Sequence, residues 1–327
     1  MRFMQFEKIK ESDKTLIDEV LKKSDSTGSE YSMLYLQGWD FFDFDSMTIA
    51  FEEGYVFIRF SPHLLAQDEE SDSHGYIFLP PLAPKGEFAK AVELLRQYCE
   101  QSGEEFYMSS CRKEDAESLD PTVYEIADKP DYRNYAEYLY NPSDLIELKG
   151  KKYHAKRNFI SRFINTYGKN YVFRTYTADD LEGVCELFGE WVKTKSFDEY
   201  HDNSEKQEKK VVKLALEYSL KYDDFFADVM EVNGKIVGFE TGELTASNVG
   251  IVHLEKGDTD YDGIYPSLCQ MFAAKHFAGV RFINRQEDMG LEGLRKSKES
   301  YHPCGFVEKR IVRLVGANAR EKAESKD

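Results

Sequence analysis

The 327-residue sequence lacks any uninterrupted apolar run near the ~20 residues that a transmembrane helix needs. Its N-terminus is charged almost at once and has no apolar segment like that of a secretory signal peptide. The five cysteines are odd in number, widely separated and never spaced as Cys-x-x-Cys, which argues against a disulfide framework or a zinc site. These absences predict a cytoplasmic protein with reduced thiols and no membrane span.

The sequence also lacks the common signatures of nucleotide-binding proteins, zinc proteases and serine hydrolases. It contains no Gly-x-Gly-x-x-Gly, no Walker A loop, no His-Glu-x-x-His and no Gly-x-Ser-x-Gly. The seven histidines are scattered, and only His154 lies in a segment of functional interest. We therefore predict no metal site, and no cofactor is expected to be required.

Positive charge is scarce overall but concentrated in one segment. The formal net charge is −17, whereas residues 149–174 contain eight Lys or Arg residues and no acidic residue. Proteins that bind duplex nucleic acid usually present a broad basic face, so the composition argues against duplex DNA as a partner. It predicts a local site for an anion.

Hydrophobic residues make up 41% of the chain, enough for packed cores in two domains of ordinary size. Helix and strand patterns recur in the same order in both halves, and Asn233-Gly234 between two apolar runs predicts a hairpin. We predict an α/β (α+β) fold of two tandem units, each a mixed, mostly antiparallel sheet flanked by helices. The predicted domains are 1–145 and 146–316, followed by a charged tail, 317–327.

The basic segment places lysines where a helix would face the core. Apolar residues between Phe159 and Tyr167 have helical spacing, and extending this helix backwards puts Lys152 and Lys156 in the same stripe. A buried ammonium group needs a partner, and the start of a helix attracts anions. Lys152, Lys156 and Arg157 are therefore predicted to bind a phosphate. In the alternative, the lysine stems pack while the amines reach water or an acidic side chain.

A second polar cluster follows a predicted strand that ends near residue 284. In open α/β sheets, ligand sites lie beyond the carboxyl ends of strands, where Asn284, Arg285 and Glu287 fall. They are predicted to line a catalytic site, with the alternative of a polar turn in which Asp288 caps the next helix. Three further residues are assigned to this site: Arg295 and Lys298, three apart on that helix, and Tyr301.

A third cluster joins a strand to a helix at residues 253–268. Glu255 and Asp258 are candidate general bases, although exposed acids at helix starts are common. Tyr265 is a candidate hydrogen-bond donor to an oxyanion, with the alternative of a core position. Carboxylates crowded at a helix start would repel a pyrophosphate, which makes this segment a poor coenzyme A site.

Four blocks resemble a bacterial domain family: SEYSMLYLQGW, LIELKGKKYHAKRNFISRF, HLEKGDTDYDGIYPSLCQMFA and FINRQEDMGLEGLRKSKESYHP. They are similar to the C-terminal, cytoplasmic domain of phosphatidylglycerol lysyltransferases, and the resemblance covers nearly the whole chain. That family has two tandem GCN5-related N-acetyltransferase-like (GNAT-like) folds, as do Fem-type peptidoglycan aminoacyltransferases. The resemblance thus implies the duplicated unit that the order of elements also predicts.

The resemblance further implies transfer of an acyl or aminoacyl group to a nucleophile without a covalent enzyme intermediate. In relatives the donor is an aminoacyl-tRNA and the acceptor is a lipid headgroup or a peptide amine. We therefore expect the acceptor end of an aminoacyl-tRNA as donor. The expected acceptor is an amine or hydroxyl on a small molecule, a lipid headgroup or a peptide.

The sequence departs from related enzymes in two respects. Ordinary acetyltransferases hold acetyl-CoA with a Q/R-x-x-G-x-G/A loop where this chain has GDTDYDGIY, and the lipid-modifying enzymes carry a multi-span membrane domain that is absent here. Two alternatives stay open. One is an acyl-CoA-dependent N-acyltransferase whose pyrophosphate binds the basic helix or the PPLAPKGE loop, and the other is a non-catalytic anion-binding module.

Overall fold

The structure is a computed structural model that describes residues 4–38, 47–60, 75–128, 131–195 and 202–316. The predicted charged tail at 317–327 lies outside the described residues. The helices are α1 (Asp13–Leu21), α2 (Met33–Gly38), α3 (Phe88–Ser102), α4 (Lys113–Glu117), α5 (Pro142–Glu147), α6 (His154–Tyr167), α7 (Leu181–Lys193), α8 (Asp202–Lys221), α9 (Ile264–His276) and α10 (Glu292–Glu299).

The strands form two seven-stranded sheets. They are β1 (Glu7–Lys8), β2 (Thr48–Glu52), β3 (Tyr55–Phe60), β4 (Ile77–Phe78), β5 (Tyr107–Arg112), β6 (Tyr124–Asp128), β7 (Glu137–Tyr140), β8 (Tyr171–Thr175), β9 (Phe225–Val232), β10 (Lys235–Leu244), β11 (Val249–Gly257), β12 (Phe282–Asn284), β13 (Gly305–Val307) and β14 (Lys309–Leu314).

The chain divides into two compact units whose boundaries differ from the predicted ones. Unit 1 comprises residues 1–136 and 307–327, and unit 2 comprises 137–306. The last strand, β14, pairs with β5 and β6 of unit 1, whereas β7 pairs with β12 of unit 2. These pairings join strands far apart in sequence, so the local patterns that placed the boundary at 145/146 did not reveal them.

Unit 1 contains the sheet β1-β2-β3-β4-β5-β14-β6, in which β4 and β5 are parallel and the other neighbours are antiparallel. Helix α3 covers one face because its apolar stripe, which includes Ala91, Val92 and Leu95, is buried in the core. The parallel pair needs a crossover, and α3 supplies it between the two strands.

Unit 2 contains the sheet β13-β7-β12-β11-β10-β9-β8. The predicted hairpin at Asn233-Gly234 joins β9 to β10, with both turn residues at positive φ as a two-residue hairpin of type I′ requires. Strands β11 and β12 are parallel and are joined through α9. The fold class predicted from the sequence, GNAT-like α/β with mixed, mostly antiparallel sheets flanked by helices, is confirmed.

The parallel pair in unit 2 separates before β11 ends. Only Val249–Ile251 pair with Phe282–Asn284, although β11 continues to Gly257. The last six residues of β11 therefore run on without β12 beside them. Glu255, in this part of β11, forms an ion pair with Arg285, which directly follows β12.

Helix α6 packs closely against the start of α9. Gly263, at a φ of +91°, precedes α9, and a Cβ atom there would lie 2.3 Å from the carbonyl oxygen of Phe159. Only glycine permits both this backbone conformation and this approach. The contact fixes the basic segment over the helix that follows β11. Within the described residues, no helix is both long and apolar enough to cross a bilayer.

Candidate active site

The basic segment folds so that only one of the two predicted lysines points inward. Residues Lys151–Tyr153 form a 3₁₀ turn, and α6 begins only at His154. Arg157 supports this turn by donating hydrogen bonds to the carbonyl oxygens of Leu148 and Gly150. Because Lys152 precedes the helix, extending the helical periodicity back to it was wrong.

Lys152 lies on the surface, with 45% of its side chain exposed, and its amine is 3.6 Å from Oδ1 of Asp144. Lys156 is half-buried, and its Nζ lies 3.8 Å from the centre of the Tyr301 ring. Among the described residues, Lys156 has no carboxylate within ion-pair distance. Burial, together with the nearby positive charge of Arg285, lowers the pKa of Lys156 to about 8.

Arg285 lies in the opening between β11 and β12. Its Nη2 donates to Oε2 of Glu255 at 2.7 Å, and its guanidinium lies 4.9 Å from the Tyr301 ring centre. The residue is only 8% exposed, yet Nη1 has no hydrogen-bond partner within the part of the chain that the structure describes. A buried donor without an acceptor costs free energy, so Nη1 is an atom that a ligand oxygen could satisfy.

Three carboxyl groups lie side by side on neighbouring strands beneath α9. Glu240 on β10 is paired in register with Asp228 on β9 and with Glu255 on β11. Asp228 is held by Lys275 and by Nε2 of His276, at 2.6 Å for the latter. Glu240 is 1% exposed, its Oε2 lacks a partner among the described residues, and burial raises its pKa well above the usual range.

The three carboxyl groups differ in their cationic partners. Asp228 and Glu255 have cationic partners, whereas no cation lies within ion-pair distance of Glu240 among the described residues. Burial first, and then the neighbouring Glu255, raise the pKa of Glu240, so a negative charge on Glu240 is disfavoured beside the Glu255–Arg285 pair. Sequence analysis missed Glu240 and Asp228, although an acid inside an apolar strand pattern is itself a signal of an internal polar group.

The turn after β12 is held by two predicted site residues, Lys298 as a substrate-binding and Asn284 as a catalytic candidate. Lys298 donates to the carbonyl oxygens of Arg285, Gln286 and Glu287, and burial lowers its pKa to about 8. Asn284 donates to Oε2 of Glu137 at 2.5 Å and accepts from the backbone of Gln286. These two side chains fix the backbone that carries Arg285.

Asp288 closes the same turn. Its buried carboxylate accepts hydrogen bonds from Nε and Nη2 of Arg295, at 2.9 and 2.7 Å, and from the Tyr138 hydroxyl at 2.6 Å. The backbone N–H of Gly290 donates as well. Arg295 thus stabilises the turn through Asp288. The side chain of Glu287, which precedes Asp288 in the sequence, is half-buried.

The remaining predicted residues lie at the end of β11 and the start of α9. Asp258 accepts from the backbone of Asp260 at 3.0 Å and lies 3.7 Å from the Lys235 amine. The Tyr265 hydroxyl accepts from Nε1 of Trp191 at 3.1 Å. The structure therefore brings Lys156, Arg285, Glu255 and Tyr301 into one cluster, here called the oxyanion cluster. The other predicted residues lie in supporting or more exposed positions.

The position of Lys156 predicts its titration. Competitive labelling of amines with trace acetic anhydride, read by mass spectrometry from about pH 6 to pH 11, should give Lys156 a midpoint near pH 8. The exposed Lys296, labelled in the same samples, is the control for the reactivity of a solvent-accessible amine. Because Arg285 contributes to the shift, Arg285→Met should raise the Lys156 midpoint. A Lys156 midpoint that is not lowered in the unaltered chain, or that Arg285→Met leaves unchanged, would contradict the placement of Lys156.

The fold is GNAT-like and resembles that of FemX and of the C-terminal domains of lysylphosphatidylglycerol synthetases. The family model for the C-terminal domain of phosphatidylglycerol lysyltransferase matches residues 45–311. The chain therefore belongs to this family, as its sequence blocks suggested.

Solved structures agree with this assignment. A conserved protein of unknown function from Bacteroides thetaiotaomicron is 30% identical, with a TM-score of 0.80 over 95% of this chain and 100% of that chain. The C-terminal domain of a putative lysylphosphatidylglycerol synthetase from Agrobacterium fabrum is 15% identical, with a TM-score of 0.60 over 96% and 94% of the two chains. FemX is 8% identical, with a TM-score of 0.61 over 98% and 100%. The last two show the fold alone.

An uncharacterized protein of Mycoplasmoides gallisepticum is 23% identical over 178 residues, which cover 54% of this chain and 56% of that protein. The chain thus matches about half the length of this curated relative.

Proposed function

We propose that the protein is an aminoacyltransferase that moves an aminoacyl group from aminoacyl-tRNA to an amine or hydroxyl acceptor in the cytoplasm. The observation that carries this proposal is the buried Nη1 of Arg285, a donor without an acceptor, beside the Lys156 ammonium. Lys156 and Arg285 both contact the Tyr301 ring, and Glu255 is the one carboxylate that pairs with Arg285 among the described residues, so an excess of positive charge is available for an oxyanion.

In the proposed reaction the acceptor nitrogen or oxygen attacks the ester carbonyl carbon of the donor. A new C–N or C–O bond forms, the ester C–O bond to the terminal ribose breaks, and the acceptor's proton ends on the released ribose hydroxyl. Negative charge develops meanwhile on the carbonyl oxygen. Arg285 Nη1 and Lys156 Nζ would stabilise it, a contribution of about 10²–10³ in rate for one such donor in other enzymes.

Glu255 has a positioning role in this proposal. Its carboxylate accepts from Nη2 of Arg285, and this contact leaves Nη1 to donate to the carbonyl oxygen of the donor. Asp258 then remains the candidate base for the acceptor, and Tyr265 remains a candidate hydrogen-bond donor. Tyr301 supports both cations through its ring.

The exposed part of the basic segment supports a polyphosphate donor. Lys149, Lys151 and Lys152 are exposed at the turn before α6, near enough in sequence to serve one phosphate backbone. Binding through such contacts weakens steeply with salt, because counterions are released when phosphates are neutralised. The names of the relatives, lysylphosphatidylglycerol synthetase and FemX, support an aminoacyl donor and either a lipid-headgroup or a peptide acceptor.

The test uses the full chain with total tRNA charged with radiolabelled amino acids. Acceptors are phosphatidylglycerol vesicles and a lysine-containing peptide, and acetyl-CoA is offered as a rival donor. We expect donor-dependent labelling of one acceptor, loss of labelling with Arg285→Lys or Lys156→Met, and no change with Lys296→Met. Acetylation from acetyl-CoA without any aminoacyl transfer would replace the proposal with the coenzyme A alternative. Consumption of neither donor would leave a binding module.

A further inference from the structure

Lys156 combines partial burial with the absence of a carboxylate partner. Its side chain is half-buried, and its Nζ lies 3.8 Å from the centre of the Tyr301 ring. No carboxylate among the described residues lies within ion-pair distance of this amine. Water and a carboxylate both stabilise an ammonium group, and Lys156 has only part of the first and none of the second.

The charged and titratable groups that surround Lys156 come from four places in unit 2. Arg285 follows β12, Glu255 lies on β11, Cys269 lies on α9 and Tyr301 follows α10. Burial first, and then the positive charge of Arg285, lower the pKa of Lys156 to about 8, and the opposing effects of Cys269 and Glu255 are outweighed. A fraction of this amine is therefore neutral at neutral pH and can attack an electrophile, whereas an ordinary lysine with a pKa of about 10.4 is almost wholly protonated.

Arg285 lies near this amine and has a donor without a partner. Its guanidinium is 4.9 Å from the centre of the same Tyr301 ring. Its Nη2 donates to Glu255, whereas Nη1 is buried and has no acceptor within the described part of the chain. A carbonyl oxygen that accepts from Nη1 would be polarised, and its carbon would become more electrophilic. A nucleophile and a donor to a carbonyl oxygen are thus present in one cluster.

The turn before α6 favours an anionic leaving group. Lys151 is exposed, and Arg157 donates to the carbonyl oxygens of Leu148 and Gly150, which carry no net charge. Neither cation has a carboxylate within ion-pair distance among the residues that the structure describes. Their positive charges, close in sequence to Lys156, are therefore available to a phosphate group.

From these contacts we propose that Lys156 is a modification site that acyl phosphates acylate, with Arg285 holding the acyl carbonyl oxygen. In this step the neutral amine attacks the carbonyl carbon. An amide C–N bond forms, the C–O bond to phosphate breaks, and the proton from the nitrogen leaves with the released inorganic phosphate. Acylation removes the positive charge of Lys156. It would therefore inhibit aminoacyl transfer, a consequence that rests on the proposed function.

The modification is tested on the unaltered full chain with isotope-labelled acetyl phosphate at about pH 7.5, and acetylated peptides are quantified over time by mass spectrometry. Lys169 is exposed and reports the reaction of a solvent-accessible amine. Lys298 is the matched control, because burial also lowers its pKa to about 8 but its amine donates to three backbone carbonyl oxygens. We expect Lys156 to react about tenfold faster than either control, since its larger neutral fraction outweighs its lower basicity. A rate no higher than that of Lys169 would overturn the proposal.

Arg285→Lys tests the contribution of Arg285. The variant keeps a positive charge near Lys156 but lacks the second donor, so acetylation of Lys156 should slow by about tenfold or more while that of Lys169 stays the same. An unchanged Lys156 rate would overturn the role of Arg285 in holding the carbonyl oxygen. The comparison of the three lysines in the unaltered chain needs no variant and decides the modification site by itself.

The effect on transfer is measured separately. Transfer should fall in proportion to the acetylated fraction of Lys156, and the activity that Lys156→Arg retains should not fall on the same treatment, because arginine keeps a cation that acetyl phosphate does not acylate under these conditions. Undiminished transfer by a chain acetylated at Lys156 would overturn the inhibitory consequence. Absence of transfer from the untreated chain would count against the proposed function alone, since the acetylation rates of the lysines still confirm or overturn the modification site.

Discussion

Replacement of Arg285 by lysine is expected to lower the second-order rate constant of transfer by about 10²–10³-fold while leaving the protein folded. Lysine keeps one positive charge near Glu255 but lacks the planar fork of a guanidinium. It can therefore occupy the position of Nη2, which bonds Glu255, but cannot also present the second donor at the position of Nη1. Activity should fall far more than stability.

Arg285→Met is the contrasting change. It removes the ion-pair partner of the largely buried Glu255, which should cost about 3–5 kcal/mol in the free energy of unfolding. The double variant Arg285→Met/Glu255→Met removes both charges and should recover most of that loss without recovering any transfer. Urea unfolding and the transfer assay are run on the unaltered chain, Arg285→Lys, Arg285→Met and the double variant. Together they separate the effect on stability from the effect on transfer. Full activity in the double variant would show that Arg285 has only a structural role.

Replacement of Asp288 by asparagine is expected to lower the free energy of unfolding by about 2–4 kcal/mol at neutral pH. The change removes the negative charge that two nitrogens of Arg295 and the Tyr138 hydroxyl bind. It should also loosen the turn that carries Arg285, so transfer should fall together with stability. The exposed pair of Glu292 and Lys296 provides the control, since Glu292→Gln should change stability by less than about 1 kcal/mol.

The stability difference between the unaltered chain and Asp288→Asn should depend on pH. Burial opposes ionisation of Asp288, but the Arg295, Tyr138 and Gly290 donors outweigh it and lower the pKa to about 2. A lowered pKa contributes stability that is fully present above the unfolded pKa of about 3.9 and is lost as the pH falls toward 2. The difference between the unaltered chain and Asp288→Asn, measured by urea unfolding, should therefore shrink between about pH 4 and pH 2. A difference that stays constant over this range would mean that the carboxylate is not held as described.

Local patterns predicted the elements of the fold well. The spacing of apolar residues located α6, and Asn233-Gly234 located the hairpin between β9 and β10. They did not predict where β7 and β14 pair, because strand pairing over such sequence distances depends on the assembled sheet. The predicted domain boundary consequently differs from the compact units of the structure.

The oxyanion cluster was predictable only in part. Arg285, Glu255, Lys156 and Tyr301 were all singled out from the sequence, and the structure brings them together. Arg295 and Lys298 were also chosen for their charge, but their acceptors are Asp288 and the carbonyl oxygens of the turn. A basic residue on a short polar helix gives no sign of whether its partner is a ligand or the chain itself.

Glu240 was not predicted from the sequence for a different reason. Its importance comes from the register that sets it between Asp228 and Glu255, and register across three strands is not encoded in any one of them. By contrast, Lys152 was misplaced for a local reason. A 3₁₀ turn precedes α6, and its tighter winding shifts the side-chain direction relative to the helix.

Strand β7 lies in the sheet of unit 2, and β14 lies in the sheet of unit 1. This arrangement affects the order in which the sheets can be completed during synthesis. The place of β14 in the first sheet is between β5 and β6, yet β14 is synthesised after all the strands of unit 2. During synthesis the sheet of unit 1 therefore has a gap between β5 and β6 until residues 309–314 have emerged from the ribosome. A nascent chain halted before residue 309 would expose two open sheet edges, and truncated products should accordingly depend on chaperones or aggregate.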